Sequence, residues 1–294
     1  MIRSNINNLS FILMICFIPF LASAQKGDIF KSEAIMHEGL ENYEKAAVIY
    51  EKAVAAYSEE NITDTLSVFK AGQNYVRANM YDKGLPFLLT CDKLGYREPN
   101  LYYTLSQLYT EKKQLAEAEA ALLKGKALFP DYKKDYLKKL GYFYYSTRQL
   151  KKASSSLASL LELDPYDINS MYLRGSAQLY MKQFDDASRS LEKILTIDPN
   201  YGKATKLLGI VYFKKADYLF QKETARYEAL SKPNRMDYTN SLKKLEKINQ
   251  DYAIALPYLE KALLSSPNDK SVINCLKVTY KRLKMDSKAK DLEQ

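Results

Sequence analysis

The sequence has no tryptophan, one histidine, three cysteines and ten glycines in 294 residues, and each scarcity closes off a class of chemistry. With His37 alone, any dyad or triad that needs imidazole has a single possible member, and a lone histidine in a weakly patterned stretch reads as a surface residue. No Cys-x-x-Cys, no His-Glu-x-x-His and no glycine-rich phosphate loop occurs, so neither zinc nor a nucleotide has a visible site. Asp185-Asp186 is no metal pair, because adjacent helical residues point about 100° apart; at a helix start they complement the dipole. No cofactor and no metal are expected, and the chain is not read as an enzyme.

Long apolar runs are equally scarce. The one present covers residues 9–21, follows Arg3 and leads into Ala22-Ser23-Ala24. Its 13 residues fall short of the ~20 needed to span a bilayer, and the small-x-small ending marks an export signal. The expected mature chain begins at Gln25 and is exported to the periplasm, with no stable membrane span after cleavage. Cys16 lacks the small residues expected before an acylated cysteine. Among Lys+Arg and Asp+Glu the balance is 44 to 35, and loss of Arg3 leaves 43 to 35, or +8. A basic surface attracts anionic partners. The lysines are spread along the chain rather than striped with aromatics, so nucleic acid is not expected.

What is present is periodicity. Gly141, Gly175 and Gly209, Ala153 and Ala187, and Pro165, Pro199, Pro233 and Pro267 each recur at 34 residues. A fixed period of that size means stacked repeats. In the clearest unit Leu137, Leu140, Gly141 and Tyr144 share one helical face, and Ala153, Leu157 and Leu160 share another. Leu163-Asp164-Pro165 ends the pair, since proline cannot continue a helix. Small residues at Gly141 and Ala153 suit the crossing, where bulk would push the axes beyond the usual ~8–10 Å.

These positions resemble the tetratricopeptide repeat family, whose pattern is an aromatic or leucine, leucine-glycine, tyrosine, alanine, a second aromatic or leucine, a small residue and a closing proline. Residues 168–201 carry Met171, Gly175, Ala187, Leu191, Ile194 and Pro199; residues 99–132 carry Tyr102, Leu105, Ser106, Tyr109, Ala118, Leu122, Gly125 and Pro130. Val68, Ala71, Gly72, Tyr75, Gly84 and Leu88, preceded by Phe30, Ala34, Ala46, Tyr50 and Ala53, extend the register toward the N-terminus. Arg174 departs from the pattern, and tyrosine fills the large-aromatic slots. The resemblance implies an all-α, right-handed superhelical solenoid of helix-turn-helix repeats over 25–294. Its units are 27–60, 65–98, 99–132, 134–167, 168–201 and 202–269, followed by capping helices at 270–294. Cys91 and Cys275 then lie far apart in a linear array and are expected as free, buried thiols.

The interval from Pro199 to Pro267 is 68 residues, which leaves two arrangements open. Two degenerate repeats would place Gln221, Glu228 and Lys243 at crossing slots. One repeat with lengthened helices would instead run a face through Leu208, Tyr212, Ala216, Leu219, Tyr227 and Leu230. Opposite it would lie a coiled-coil stripe of Tyr238, Leu242, Leu245, Tyr252, Leu256, Leu259 and Leu263. The second is preferred: a helical arm over 217–250, turning at Ser231-Lys232-Pro233-Asn234.

The resemblance further implies that first helices line a concave groove holding a peptide or partner helix. Carried over by position, the groove set is Tyr103 and Gln107; Lys138, Tyr142 and Tyr145; Tyr172, Ser176 and Tyr180; Lys203, Lys206 and Lys214; and Lys281 with Arg282. Tyrosines supply rigid anchors. Tyr142 and Leu173 stand where the family's carboxylate clamp resembles asparagine, so that clamp is not met. The expected function is a non-enzymatic scaffold or adaptor of the bacterial cell envelope, binding another envelope protein or peptide, acidic in character, through the groove or the arm. The alternative is a glycan- or lipid-associated module using the basic groove.

Overall fold

The computed structural model describes residues 26–292; the export signal, its cleavage point and Cys16 lie outside the described residues. All regular structure among the described residues is helical. Packing divides the chain into a unit ending at Tyr136 and one beginning at Leu137.

The first unit holds α1 (26–39), α2 (Tyr43–Ser58), α3 (Thr65–Arg77), α4 (Tyr81–Lys93), α5 (Pro99–Glu111), α6 (Leu115–Leu128), a 3-10 turn at Pro130–Tyr132 and the start of α7 (Lys133–Ser146). The second continues from α7 through α8 (Leu150–Leu163), α9 (Ile168–Tyr180), α10 (Phe184–Ile197), α11 (Gly202–Glu228), α12 (Arg235–Ser265), α13 (Lys270–Arg282) and α14 (Asp286–Asp291). Each first helix is followed by a second after a tight turn, the repeat unit implied by the 34-residue period.

The turn has a backbone signature. Asn79, Lys113, Arg148 and Lys182 adopt left-handed φ of 60°, 59°, 62° and 59°. In each case the next residue donates its N–H five residues back, as Gln183 does to the Gln178 carbonyl at 2.9 Å. This is the Schellman ending of a helix, here usually built on a cation instead of glycine.

The crossings are equally regular. A methyl on Gly141 would meet Leu157 Cδ2 at 2.5 Å, while one on Gly175 would meet Leu191 Cγ at 3.1 Å. Both partners sit 16 residues on. Gly209 approaches Leu259 instead, 50 residues on, so one full period of 34 has been inserted between the two halves of a single crossing. Tyrosines brace the same joints by donating to carboxylates: Tyr75 to Glu51 at 2.6 Å, Tyr280 to Glu260 at 2.8 Å, and Tyr212 to Glu192.

Between Pro199 and Pro267 the chain makes one pair of long helices, α11 with 27 residues and α12 with 31, where its neighbours have 13 or 14. Gln221, Glu228 and Lys243 point outward. Asn234 and Asp237 form a reciprocal capping box that starts α12, the arrangement that satisfies orphan N–H groups at a helix entry. The seam differs from the expected apolar stripe. Its buried or half-buried members on α12 include the expected Leu245, Tyr252, Leu256, Leu259 and Leu263 together with Ser241, Ile248, Ala255 and Ala262, whereas Tyr238 and Leu242 are exposed. Toward the tip the seam is polar. Glu223, 7% exposed, accepts from Arg226 Nε at 2.9 Å and Lys244 Nζ at 3.3 Å.

His37 is also not the surface residue expected: it is 8% exposed, and its Nδ1 has no hydrogen-bond partner among the described residues. Cys91 and Cys275 are free and buried. Burial pushes their thiols up to about 12 and about 11, which keeps them protonated and unreactive.

Candidate functional site

The groove positions fall into three groups once the side chains are placed. In the first unit Tyr103 packs its ring on Tyr136, centroids 4.4 Å apart, and is half-buried, while Gln107 is exposed on α5. Tyr103 is therefore part of a tilted ring pair rather than an open anchor.

Two of the lysines are engaged within the fold. Lys138 on α7 reaches Asp167 at 2.8 Å, and Asp167 at the same time caps α9 by accepting from the Ser170 N–H at 3.0 Å. Burial opposes charge on Asp167, yet the Lys138 and Ser170 hydrogen bonds outweigh it and hold the carboxyl below its usual range. Hydrogen bonding to Asp167 raises Lys138 in turn. Lys206 on α11 repeats the device with Asp269 at 2.5 Å, and Asp269 caps α13 through Ser271 N–H. Hydrogen bonds from Lys206 and Ser271 hold Asp269 well below the usual carboxylate range. These lysines join one repeat to the helix cap of the next.

The remaining positions differ in exposure and in the contacts they make. Tyr142 is 42% exposed. Tyr145 Oη and Ser176 Oγ share a hydrogen bond at 2.7 Å, linking α7 to α9. Tyr172 sets its ring edge-on to Tyr201 at 6.4 Å, and burial first, then neighbouring phenols, raises its pKa. Tyr180 is 57% exposed. Lys203 and Lys214 are exposed and make no ion pair among the described residues. Lys281 and Arg282 lie on α13, where Arg282 stacks over Phe220 with 3.5 Å from Cζ to the centroid.

Beside Ser176 and Tyr180 a cavity of about 480 Å³ opens between α9, the start of α10 and α11. Its apolar lining comes from Leu179, Phe184, Leu207 and Ile210, and its rim from Tyr180, Tyr218, Lys182 and Lys214. That volume lies within the ~300–1,000 Å³ of ligand clefts, and an apolar body with a few polar groups is their usual make-up. Arg148 stands over the Tyr180 ring at 5.0 Å and Lys182 over Tyr218 at 5.1 Å, distances typical of cation–π contacts. Among the described residues no group of three or more His, Cys, Asp or Glu converges to hold a metal, and no helix is long and apolar enough to cross a membrane.

Arg148, Lys182, Leu207, Ile210 and Tyr218 were not in the sequence-derived set. The cations had a signal: Lys113-Gln114, Arg148-Gln149 and Lys182-Gln183 repeat a cation-glutamine dipeptide at the turn. Tyr218 had none, because it enters the site only where α11 runs past the length of an ordinary first helix.

The match to known proteins follows this geometry. Residues 99–132 and 168–201 each match the family model for the tetratricopeptide repeat. A tetratricopeptide repeat protein from Parabacteroides merdae superposes with a TM-score of 0.55 at 14% identity, covering 87% of this chain and 99% of that one. The crystal structure of MamA protein gives 0.52 at 20% identity over 58% and 91%. A stretch of 125 residues is 31% identical to human protein O-mannosyl-transferase TMTC3, spanning 42% of this chain and 13% of that protein. Those likenesses to solved structures concern the fold, while the two family-model matches lie on the repeats whose turns, crossings and caps are described above. Residues 99–132 and 168–201 are tetratricopeptide repeats, within a chain that has the fold of tetratricopeptide repeat proteins.

Proposed function

We propose that the chain is a non-catalytic interaction scaffold of the bacterial cell envelope, binding an acidic segment of another protein along the α7–α9–α11 face of its second unit. The observation that carries this reading is that face itself: exposed Tyr142 and Tyr180, half-buried Tyr145 and Tyr172, and cations Lys203 and Lys214 without ion pairs among the described residues. Tyrosine gives contact area at low entropy cost, and uncommitted lysines speed association with an acidic partner. Lys138 and Lys206 are left out of the binding set, because their charge is matched within the fold.

The envelope setting rests on the leader sequence, with its Ala22-Ser23-Ala24 ending. Mass spectrometry of the native protein tests it: a chain starting at Gln25 is expected, and an intact Met1 or an acylated Cys16 contradicts export by cleavage. The binding reading is tested by capture from envelope extracts, with and without carbohydrate digestion, using the wild-type chain and its Tyr142→Ala/Tyr145→Ala/Tyr172→Ala variant. A protein partner lost with the triple variant and indifferent to digestion is the expected result. Capture that depends on intact carbohydrate would favour a glycan-associated module instead.

A further inference from the structure

We propose that the cavity at the root of the long hairpin is a socket for one aromatic side chain of the partner's acidic segment, with Lys182 and Lys214 holding carboxylates on either side of that ring. The proposal rests on the groove reading above and adds the identity of the side chain and the place where it sits.

The insertion creates the socket. Adding one period to Tyr180, where α9 ends, gives Lys214. An ordinary first helix would stop there, yet α11 continues to Glu228. Tyr218 and Gln221, which wall the cavity on that side, are therefore present only because the helix is lengthened. The groove, open along ordinary repeats, is here closed by a helix wall over an apolar floor of Leu179, Phe184, Leu207 and Ile210.

Charge then selects the occupant. Lys182 and Lys214 on the rim have no carboxylate partner among the described residues, and Arg148 lies just beyond, against Tyr180. The acid on the wall, Asp217, is already engaged: it accepts from Gln221 Nε2 at 2.9 Å and from Tyr252 Oη at 3.5 Å. A cationic rim around an apolar floor suits a ring flanked by acids and disfavours a basic or purely polar segment. The rim cations are also placed at some cost. Arg148 and Lys182 hold left-handed φ of 62° and 59°, a conformation that glycine adopts without steric strain. Each cation covers the face of a rim tyrosine, fixing the two rings as flat walls with a charge beside them.

The test uses the full mature chain and two unlabelled peptides, acetyl-Asp-Glu-Phe-Glu-Asp-amide and the same peptide with alanine for phenylalanine, with binding read by isothermal titration calorimetry at low and physiological salt. Tighter binding of the phenylalanine peptide by about tenfold to a hundredfold is expected, the range for burying one phenyl ring. Tyr218→Ala, an exposed substitution whose fold is checked by its helical melt, brings the two peptides to equal affinity. Lys182→Gln/Lys214→Gln weakens both peptides and flattens their salt dependence while keeping the preference. Equal affinity of the wild-type chain for both peptides would overturn the socket and leave the groove reading standing. So would a preference that survives Tyr218→Ala. If neither peptide binds, acidic-aromatic recognition is overturned here, while the groove reading is decided separately by the capture experiment with the triple tyrosine variant.

Discussion

A tyrosine hydroxyl buried beside a carboxylate keeps its proton far longer than one in water, and this chain repeats that contact along its joints. Burial first, then the neighbouring carboxylates, raise Tyr75, Tyr212 and Tyr280 above the ordinary phenol range. Burial pushes Tyr103 and Tyr252 up to about 12. The folded chain therefore retains protons that the unfolded chain releases near pH ~10. Stability from these groups is complete below that pH and falls as pH rises through the shifted values. Loss of helical circular dichroism above pH ~10 should coincide with the last part of the rise in phenolate absorbance, from the buried tyrosines; complete phenolate formation with helicity intact would contradict the account. Glycine gives a second test. Gly141→Ala drives a methyl into buried Leu157, and Gly175→Leu overfills the Leu191 contact. Each should lose about 1–3 kcal/mol in denaturant unfolding. Gly39→Ala, with nothing within 4 Å, should hold or gain up to ~1 kcal/mol from helix propensity alone. If all three behave alike, the crossings are misplaced. The glycines were legible because only period and size matter at a crossing. The roles of Lys138 and Lys206 were not, because their partners are helix-cap aspartates 29 and 63 residues away, which no local pattern joins.

The long hairpin of α11 and α12 is the element that departs from the repeat, and its two halves are held by different forces. Near the root, Phe213, Ala216, Tyr252, Ala255 and Leu259 are buried in one apolar cluster. Near the tip the contact is Glu223 with Arg226, Ser241 and Lys244. Hydrogen bonding from Arg226 outweighs burial, and with Ser241 and Lys244 it pulls the carboxyl down to about 2. A depressed carboxyl stabilises above its unfolded value of ~4.3, and that contribution is lost as pH falls toward the folded one. Hydrogen exchange should therefore show 223–245 opening between pH ~4.3 and 2 while α9 and α10 stay protected; simultaneous loss everywhere would contradict separate stabilisation of the tip. Deleting 217–250 joins Ala216 to Asp251 and puts Tyr252 where Phe184 stands one repeat earlier, so a folded, cooperatively melting protein is expected. A split or strongly lowered melt would mean that the hairpin carries core. The insertion was legible as a 68-residue proline interval. The tip end of its seam was not, because steps of 4 and 3 fit two neighbouring stripes, and there the buried one passes through Ser241 beside Glu223.

For the molecule as a whole, fold and function were legible to different depths for a physical reason. A repeat restates its packing rules at every period, so errors in one unit are corrected by the next. A binding face is stated once, and side-chain partners decide which of its residues remain available. Here Lys138 and Lys206 pair with helix-cap aspartates and Tyr103 packs on Tyr136, while Lys182 and Tyr218 line the cavity proposed as the socket. The central claim is that this face is where the partner sits. Its most direct measurement is covalent: a photoreactive benzoylphenylalanine replaces Tyr142 in one variant and the exposed Lys193 of α10 in another. Both are irradiated in the envelope extract and analysed by mass. The account predicts one specific crosslinked protein from position 142 and none from 193; crosslinking of that protein from 193 alone, or equally from both, would contradict it.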